Sequence, residues 1–279
     1  MKKTNIIINF FLFFLLSILF QNVAALSGHS VLTDKNVNAS QFIDRVGKQR
    51  MLMYQILVAY AQIGQVQSYG NPVNTKQMAI DEFEYSLQII KSIPRFNLTA
   101  QRMETVWIDF KKTVLLTPDK YQLKKLIAQA EQIVSYCNSI IKSMVQSSSN
   151  NINIVNIAGK QRMLSQRMAL FMLAENWGLK EGNYRLKLQQ TLAEFAINLN
   201  TLKSNNDNTK KINQKIKSME KDFSRLIRII AKGKQERDYS FSISRNTSQI
   251  LRKAKVCAKL YVELKNEVNV AMRKKDRSR

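Results

Sequence analysis

From about Ala39 onward, apolar residues recur at three- and four-residue spacing with almost no two-residue alternation, the pattern of amphipathic helices rather than strands. Turn signals divide this stretch. A first helix is expected from about Ala39 to Tyr69, ended by Gly70-Asn71-Pro72, and a second from about Thr75 to Ile93, stopped by Pro94. Thr99 is placed to cap a third carrying Met103, Trp107, Phe110 and Val114, and Thr117-Pro118-Asp119 opens a fourth that runs to about Val145. The serine- and asparagine-rich stretch from Gln146 to Asn151 follows. A second set then spans Ile152 to Trp177, Asn183 to Lys203, about Thr209 to Ala231, and Ile243 to Met272. Four such helices on short turns predict an up-down-up-down bundle, and two sets predict an all-α chain of two tandem four-helix bundles, over residues 26–147 and 148–272. In that topology the first helices of the two sets run parallel. Side-by-side and end-to-end arrangements both stay open.

The two sets are related in sequence. Gly47-Lys48-Gln49-Arg50-Met51-Leu52 returns as Gly159-Lys160-Gln161-Arg162-Met163-Leu164, at an offset of 112 residues. Phe83, Leu87 and Lys91 recur as Phe195, Leu199 and Lys203 at the same offset, and Asp109-Phe110 meets Asp222-Phe223 one residue later. This is the signature of a tandem duplication, and the repeated hexapeptide is the first place to look for function. The longer, more polar loops at Ser204–Asn208 and from Lys232 to Tyr239 set the second copy apart.

The first residues change the expected location. Lys2 and Lys3 precede an apolar run from Ile6 to Phe20, broken only by Asn9 and Ser17, and Val23-Ala24-Ala25 offers small residues to a signal peptidase. A cleaved leader over residues 1–25 is expected, leaving the protein periplasmic or secreted. The run is short for a membrane span of about 20 residues.

Composition narrows the chemistry. The 279 residues carry a net charge of +24, with 44 Lys and Arg against 20 Asp and Glu. Such a balance favours polyanions. The expected compartment and the lack of an aromatic-basic stacking pattern argue against nucleic acid, leaving an anionic envelope surface as a candidate, with the basic segment 273–279 as a tail that touches it. His29 is the only histidine, and no CxxC, histidine pair or carboxylate cluster occurs, so no metal, cofactor or catalytic nucleophile is expected. Cys137 and Cys257 lie one per copy without aligning, and a bridge between them stays open. Met51, Met53, Met163, Met168 and Met172 read as core fillers, and Trp107 and Trp177 as core or interface residues.

Ala158-Gly159-Lys160-Gln161-Arg162-Met163-Leu164-Ser165-Gln166-Arg167-Met168 resembles the periplasmic sensor box of the nitrate/nitrite sensor kinases NarX and NarQ and of the N-terminal domain of the type IV pilus chemotaxis transducer PilJ. Gly159, Arg162, Met163 and Arg167 fit all four box positions. Gly47, Arg50 and Met51 fit three, with Gln55 where the second arginine belongs. The resemblance implies a four-helix sensor bundle that holds a small planar anion between the first helices of two subunits, with the box arginines as ligands. The ligand class implied is nitrate or nitrite.

The residues themselves support part of this. Guanidinium is always charged and offers donors in a rigid fork, which suits an oxyanion in a partly dry crevice. No Asp or Glu occurs from Arg45 to Ile80 or from Gln132 to Ala174, so neither box helix neutralises its arginines locally. The small Gly47 and Gly159 allow close helix approach. Arg50, Arg162 and Arg167 are therefore candidate anion ligands, Gln55 a weaker neutral one, in an intrachain pseudo-dimer or a homodimer. The competing reading pairs the arginines with glutamates such as Glu82 or Glu194. The expectation is a non-catalytic sensor-type module that relays to a membrane-embedded signalling partner. The alternative is a structural or adaptor protein docking to a type IV pilus or chemosensory partner.

Overall fold

The computed structural model describes residues 38–67, 69–148, 152–179, 182–233 and 239–277, with side chains described as far as Val268. The expected leader, residues 1–25, and His29 lie outside the described residues. Among the described residues eight α-helices follow one another: α1 Ala39–Gly64, α2 Pro72–Lys91, α3 Asn97–Val114, α4 Lys120–Gln146, α5 Asn153–Asn176, α6 Tyr184–Lys203, α7 Lys210–Lys232 and α8 Tyr239–Arg277. Among the described residues there is no strand, and the chain is all-α as its periodicity dictates. No described helix is long and apolar enough to cross a membrane.

Two helices are buried nearly all round. On α1 and α5 the buried positions cover every side of the helix, whereas on α7 they form a single stripe of Ile212, Ile216, Met219, Asp222 and Leu226. A helix without a solvent face must be central. α1 packs on α2 and α4 of its own half, α5 on α6 and α8 of the other, and the two halves meet through α1 against α5. The halves thus lie side by side, and the central pair is parallel. Near its start Asp44 meets Arg162, and at its end Gln65 meets Asn176, whose Nδ2 donates to Gln65 Oε1 at 2.9 Å. The aligned phenylalanines each pack on an aromatic ring of the next helix: Phe83 on Trp107 at 4.2 Å between ring centroids, Phe195 on Phe223, the counterpart of Phe110, at 4.6 Å. The five methionines singled out from the sequence are all buried. Trp107 is buried in the core, while Trp177 is half-buried where the halves meet.

Helix ends depart from expectation where capping chemistry overrides periodicity. α1 stops at Gly64 instead of reaching Tyr69, because Val66 turns left-handed (φ 54°) and the Val66 and Gln67 N–H groups close onto Ile63 and Gln62 carbonyls at 3.0 and 2.8 Å. α5 ends with the same closure, Gly178 (φ 84°) and Leu179 bonding back to Glu175 and Ala174, both at 3.1 Å. The counterpart of Gly178 is therefore Val66, and Gly70 does not mark the end of α1. Gly70-Asn71 instead matches Gly182-Asn183, and all four are left-handed at the entries to α2 and α6. Asn71 caps α2 by accepting from the Asn74 N–H at 3.2 Å with Pro72 in the first turn, so α2 begins before Thr75. Thr99 lies inside α3, which follows directly from a 3₁₀ turn at Pro94–Phe96, and caps nothing. Asp119 does cap α4, accepting from the Tyr121 N–H at 3.1 Å. α8 runs on to Arg277, so the backbone of residues 273–277, expected as a tail, is helical.

Val66 carries a branched Cβ in a conformation that costs an L-residue roughly 1–2 kcal/mol, and its side chain is 93% exposed. Val66→Gly relieves that strain and gives back part of it as chain entropy. The expected net stabilisation is about 0.5–1 kcal/mol, read as a higher urea midpoint at unchanged slope.

Cys137 on α4 and Cys257 on α8 are buried free thiols, each pushed up to about 12 by desolvation. The bridge that the sequence left open is not formed.

Candidate functional site

Each residue of the repeated hexapeptide has a defined job, and most of those jobs are structural. Gln49 and Gln161 are buried and donate Nε2 to the carbonyls of Phe83 and Phe195, at 2.9 and 3.1 Å. Lys48 pairs with Glu82 at 2.7 Å and Lys160 with Glu194 at 3.5 Å. These contacts pin each central helix to the next helix of its own half. They also occupy the two glutamates that were the alternative partners for Arg50 and Arg162.

The arginines reach across the central pair instead. Arg50 and Arg162 are almost wholly buried, at 1% and 4% exposed. The glycines make this possible: a Cβ on Gly47 would lie 3.3 Å from Nη2 of both arginines, and one on Gly159 would lie 3.2 Å from Arg162 Nη2 and 3.9 Å from Arg50 Nη2. The two Nη2 atoms are thus at most twice 3.3 Å apart, a span that one planar oxyanion can bridge. Two like charges converge in the space left by two missing side chains.

Their partners are unequal. Arg162 Nη2 donates to the Asp44 carbonyl at 3.1 Å and lies 2.7 Å from Asp44 Oδ1, an ion pair too bent to be a hydrogen bond. Arg50 Nη2 donates to Asn156 Oδ1 at 3.0 Å and Nη1 to Asn138 Oδ1 at 2.9 Å, both neutral acceptors. Asp44 and Asn156 stand at the repeat offset of 112, so one cross-pair carries a carboxylate where its mate carries an amide. Burial above all, with a smaller push from the neighbouring Arg162, lowers the Arg50 guanidinium to about 10, which still leaves it charged at neutral pH. The Nε atoms of both arginines are buried without an acceptor. A desolvated charge short of partners costs several kcal/mol, and an anion is the chemical remedy. Lys255 on α8 adds a further cation: its ammonium is lowered by desolvation and by repulsion from Lys48 and Arg162.

Arg167 goes elsewhere. Its Nη1 lies 3.9 Å from Glu194 Oε2, and its guanidinium sits over the rings of Phe171 and Tyr54 at 5.4 and 6.0 Å. Gln55, its counterpart on α1, is half-buried with an unpartnered Oε1. Neither appears among the groups gathered at the glycines. Asp44, Asn138 and Asn156 complete the site, and none of them was singled out from the sequence. Among the described residues no group of three potential ligands stands ready to hold a metal ion.

Residues 144–243 match the PilJ family model. Its description is the N-terminal part of type IV pili methyl-accepting chemotaxis transducers. The PilJ match runs from the end of α4 through α5, α6 and α7 into α8, and so contains Gly159, Arg162 and Arg167. Gly47, Arg50 and Gln55 lie outside it. No curated protein and no solved structure matches the chain.

Proposed function

We propose that the chain is a sensor-type binding module built from two PilJ-type bundles, in which Arg50 and Arg162 hold one small oxyanion of the nitrate or nitrite class between α1 and α5. The observation that carries this reading is the convergence of two buried guanidiniums on Gly47 and Gly159 with a single carboxylate, Asp44, among their partners. The first half, outside the PilJ match, supplies the other half-site through the same glycine, the same arginine and the same helix order. A PilJ-type module suits a periplasmic setting, in which occupancy of the α1–α5 seam is read out by a membrane-embedded partner. The role proposed for the site is binding, since what it presents is hydrogen-bond donors and positive charge.

Arg162→Ala or Arg50→Ala should weaken nitrate or nitrite binding about tenfold or more, the loss of one charge-assisted hydrogen bond. Arg167→Ala and Gln55→Ala should cost less, since Arg167 is held by Glu194 and two rings. Calorimetric titration with nitrate, nitrite and chloride measures this. A second reading has its own support: Nη2 of both arginines and Nη1 of Arg50 already meet protein acceptors, as they would in a purely structural seam. If no anion binds at millimolar concentration, that adaptor reading replaces the first.

A further inference from the structure

A second basic cleft lies away from the central seam, between α7 and α8. Arg225, Arg228, Ile229 and Lys232 face it from α7, and Ser242, Arg245, Asn246 and Gln249 from α8. Each set follows the i, i+3, i+4, i+7 spacing of one helical face, so two complete faces turn into a cleft of about 450 Å³. Arg225 is compensated: its Nη1 donates to Gln249 Oε1 at 3.3 Å and lies 3.7 Å from Asp222, a carboxylate also held by Lys253. Arg228 and Arg245 have no acidic partner among the described residues. Placing arginines together in this way is unfavourable unless something negative joins them.

An independent observation comes from Asn246. It is 3% exposed and lines the cleft, yet neither Nδ2 nor Oδ1 has a hydrogen-bond partner. A buried amide left wholly unsatisfied is rare and costly. It asks for a ligand that both accepts and donates. On α4, the counterpart of α8 in the first half, there is no arginine at all, so the cleft belongs to the second half alone.

We propose that this cleft binds the phosphate ester of a hydroxylated solute. Arg228 and Arg245 grip the phosphate oxygens, while Asn246 donates Nδ2 to one of them and accepts from a ligand hydroxyl at Oδ1. The volume exceeds what inorganic phosphate fills and lies in the range of small-ligand sites. The same chemistry is offered by a free glycerol phosphate and by the headgroup of a glycerol-phosphate lipid.

The test titrates the chain with glycerol 3-phosphate by calorimetry. In parallel, it measures co-sedimentation with phosphatidylcholine vesicles made with and without phosphatidylglycerol. Arg228→Gln and Arg245→Gln, both at exposed positions, should each weaken binding about tenfold. Asn246→Leu should also lose binding while unfolding at an equal or higher temperature, since it removes an unsatisfied amide. Arg162→Ala should bind as well as the wild type, which separates this cleft from the central seam. Saturable binding of glycerol 3-phosphate that depends on both arginines identifies a free ester as the source. Arginine-dependent sedimentation with phosphatidylglycerol vesicles, without heat from glycerol 3-phosphate, identifies the lipid headgroup. No binding of either probe, or binding that survives the double Arg228→Gln, Arg245→Gln variant, overturns the proposal.

Discussion

Asn156→Asp is expected to stabilise the chain by about 1 kcal/mol and to lower its affinity for nitrate or nitrite by about tenfold or more. Asn156 Oδ1 already accepts from Arg50 Nη2 at 3.0 Å, so a carboxylate there converts a neutral hydrogen bond into a charge-assisted one, a gain of about 1 kcal/mol. The same carboxylate gives Arg50 the compensation that Arg162 has from Asp44, and an external anion then competes with a resident one. The mirror substitution, Asp44→Asn, should do the reverse: a lower unfolding midpoint in urea and tighter anion binding. Opposite movements of stability and affinity in the two variants are the diagnostic result. If affinity moves in neither, the arginines do not hold the anion.

The second large effect lies at the other end of the seam. A Cβ on Gly64 would stand 2.2 Å from Cζ2 and Cη2 of Trp177 and 3.2 Å from Pro118 Cβ, contacts that force the indole out of its seat. Gly64→Ala should therefore destabilise the chain by about 1–3 kcal/mol through overpacking, despite the roughly 1 kcal/mol that alanine gains over glycine inside a helix. Trp177→Ala should destabilise by itself, yet the double variant should lose less than the sum, a coupling that a double-mutant cycle in urea would measure. Strict additivity would mean that Gly64 is not there to admit the indole.

Much of the fold was legible because its signals are local. Eight periodic runs, the asparagine and proline at Asn71-Pro72, and the cap at Asp119 are read within a few residues. Where the reading slipped, a non-local or unexpected feature intervened. Val66 adopts a glycine's conformation without being glycine, so the true end of α1 left no mark, and Gly70-Asn71 drew the boundary to the wrong side of the turn. Thr99 has a capping side chain but sits beyond a 3₁₀ turn that had already begun the helix.

The seam shows the same division. Gly47, Gly159, Arg50 and Arg162 stood out because the repeat displays them. The Arg50 acceptor Asn138 did not, because it comes from α4, at a position only packing brings near. Asp44 was within reach of the sequence: the acid-free stretch begins at Arg45, one residue after the carboxylate that matters. It and Asn156 align at the repeat offset, and that mismatch of charge between copies was the available signal.

Covalent fusion of the two halves permits a charge state that separate identical subunits cannot reach. A symmetric homodimer of the first half would set two Arg50 against two Asp44 and come out neutral, and one of the second half would set two Arg162 against two Asn156 and keep both positive charges. In the single chain, Arg50, Arg162, Asp44 and Asn156 sum to one excess positive charge, matched to a monovalent anion. On the proposed reading the stoichiometry should be one anion per chain, with occupancy set by anion concentration alone and independent of how many protein molecules are present to pair.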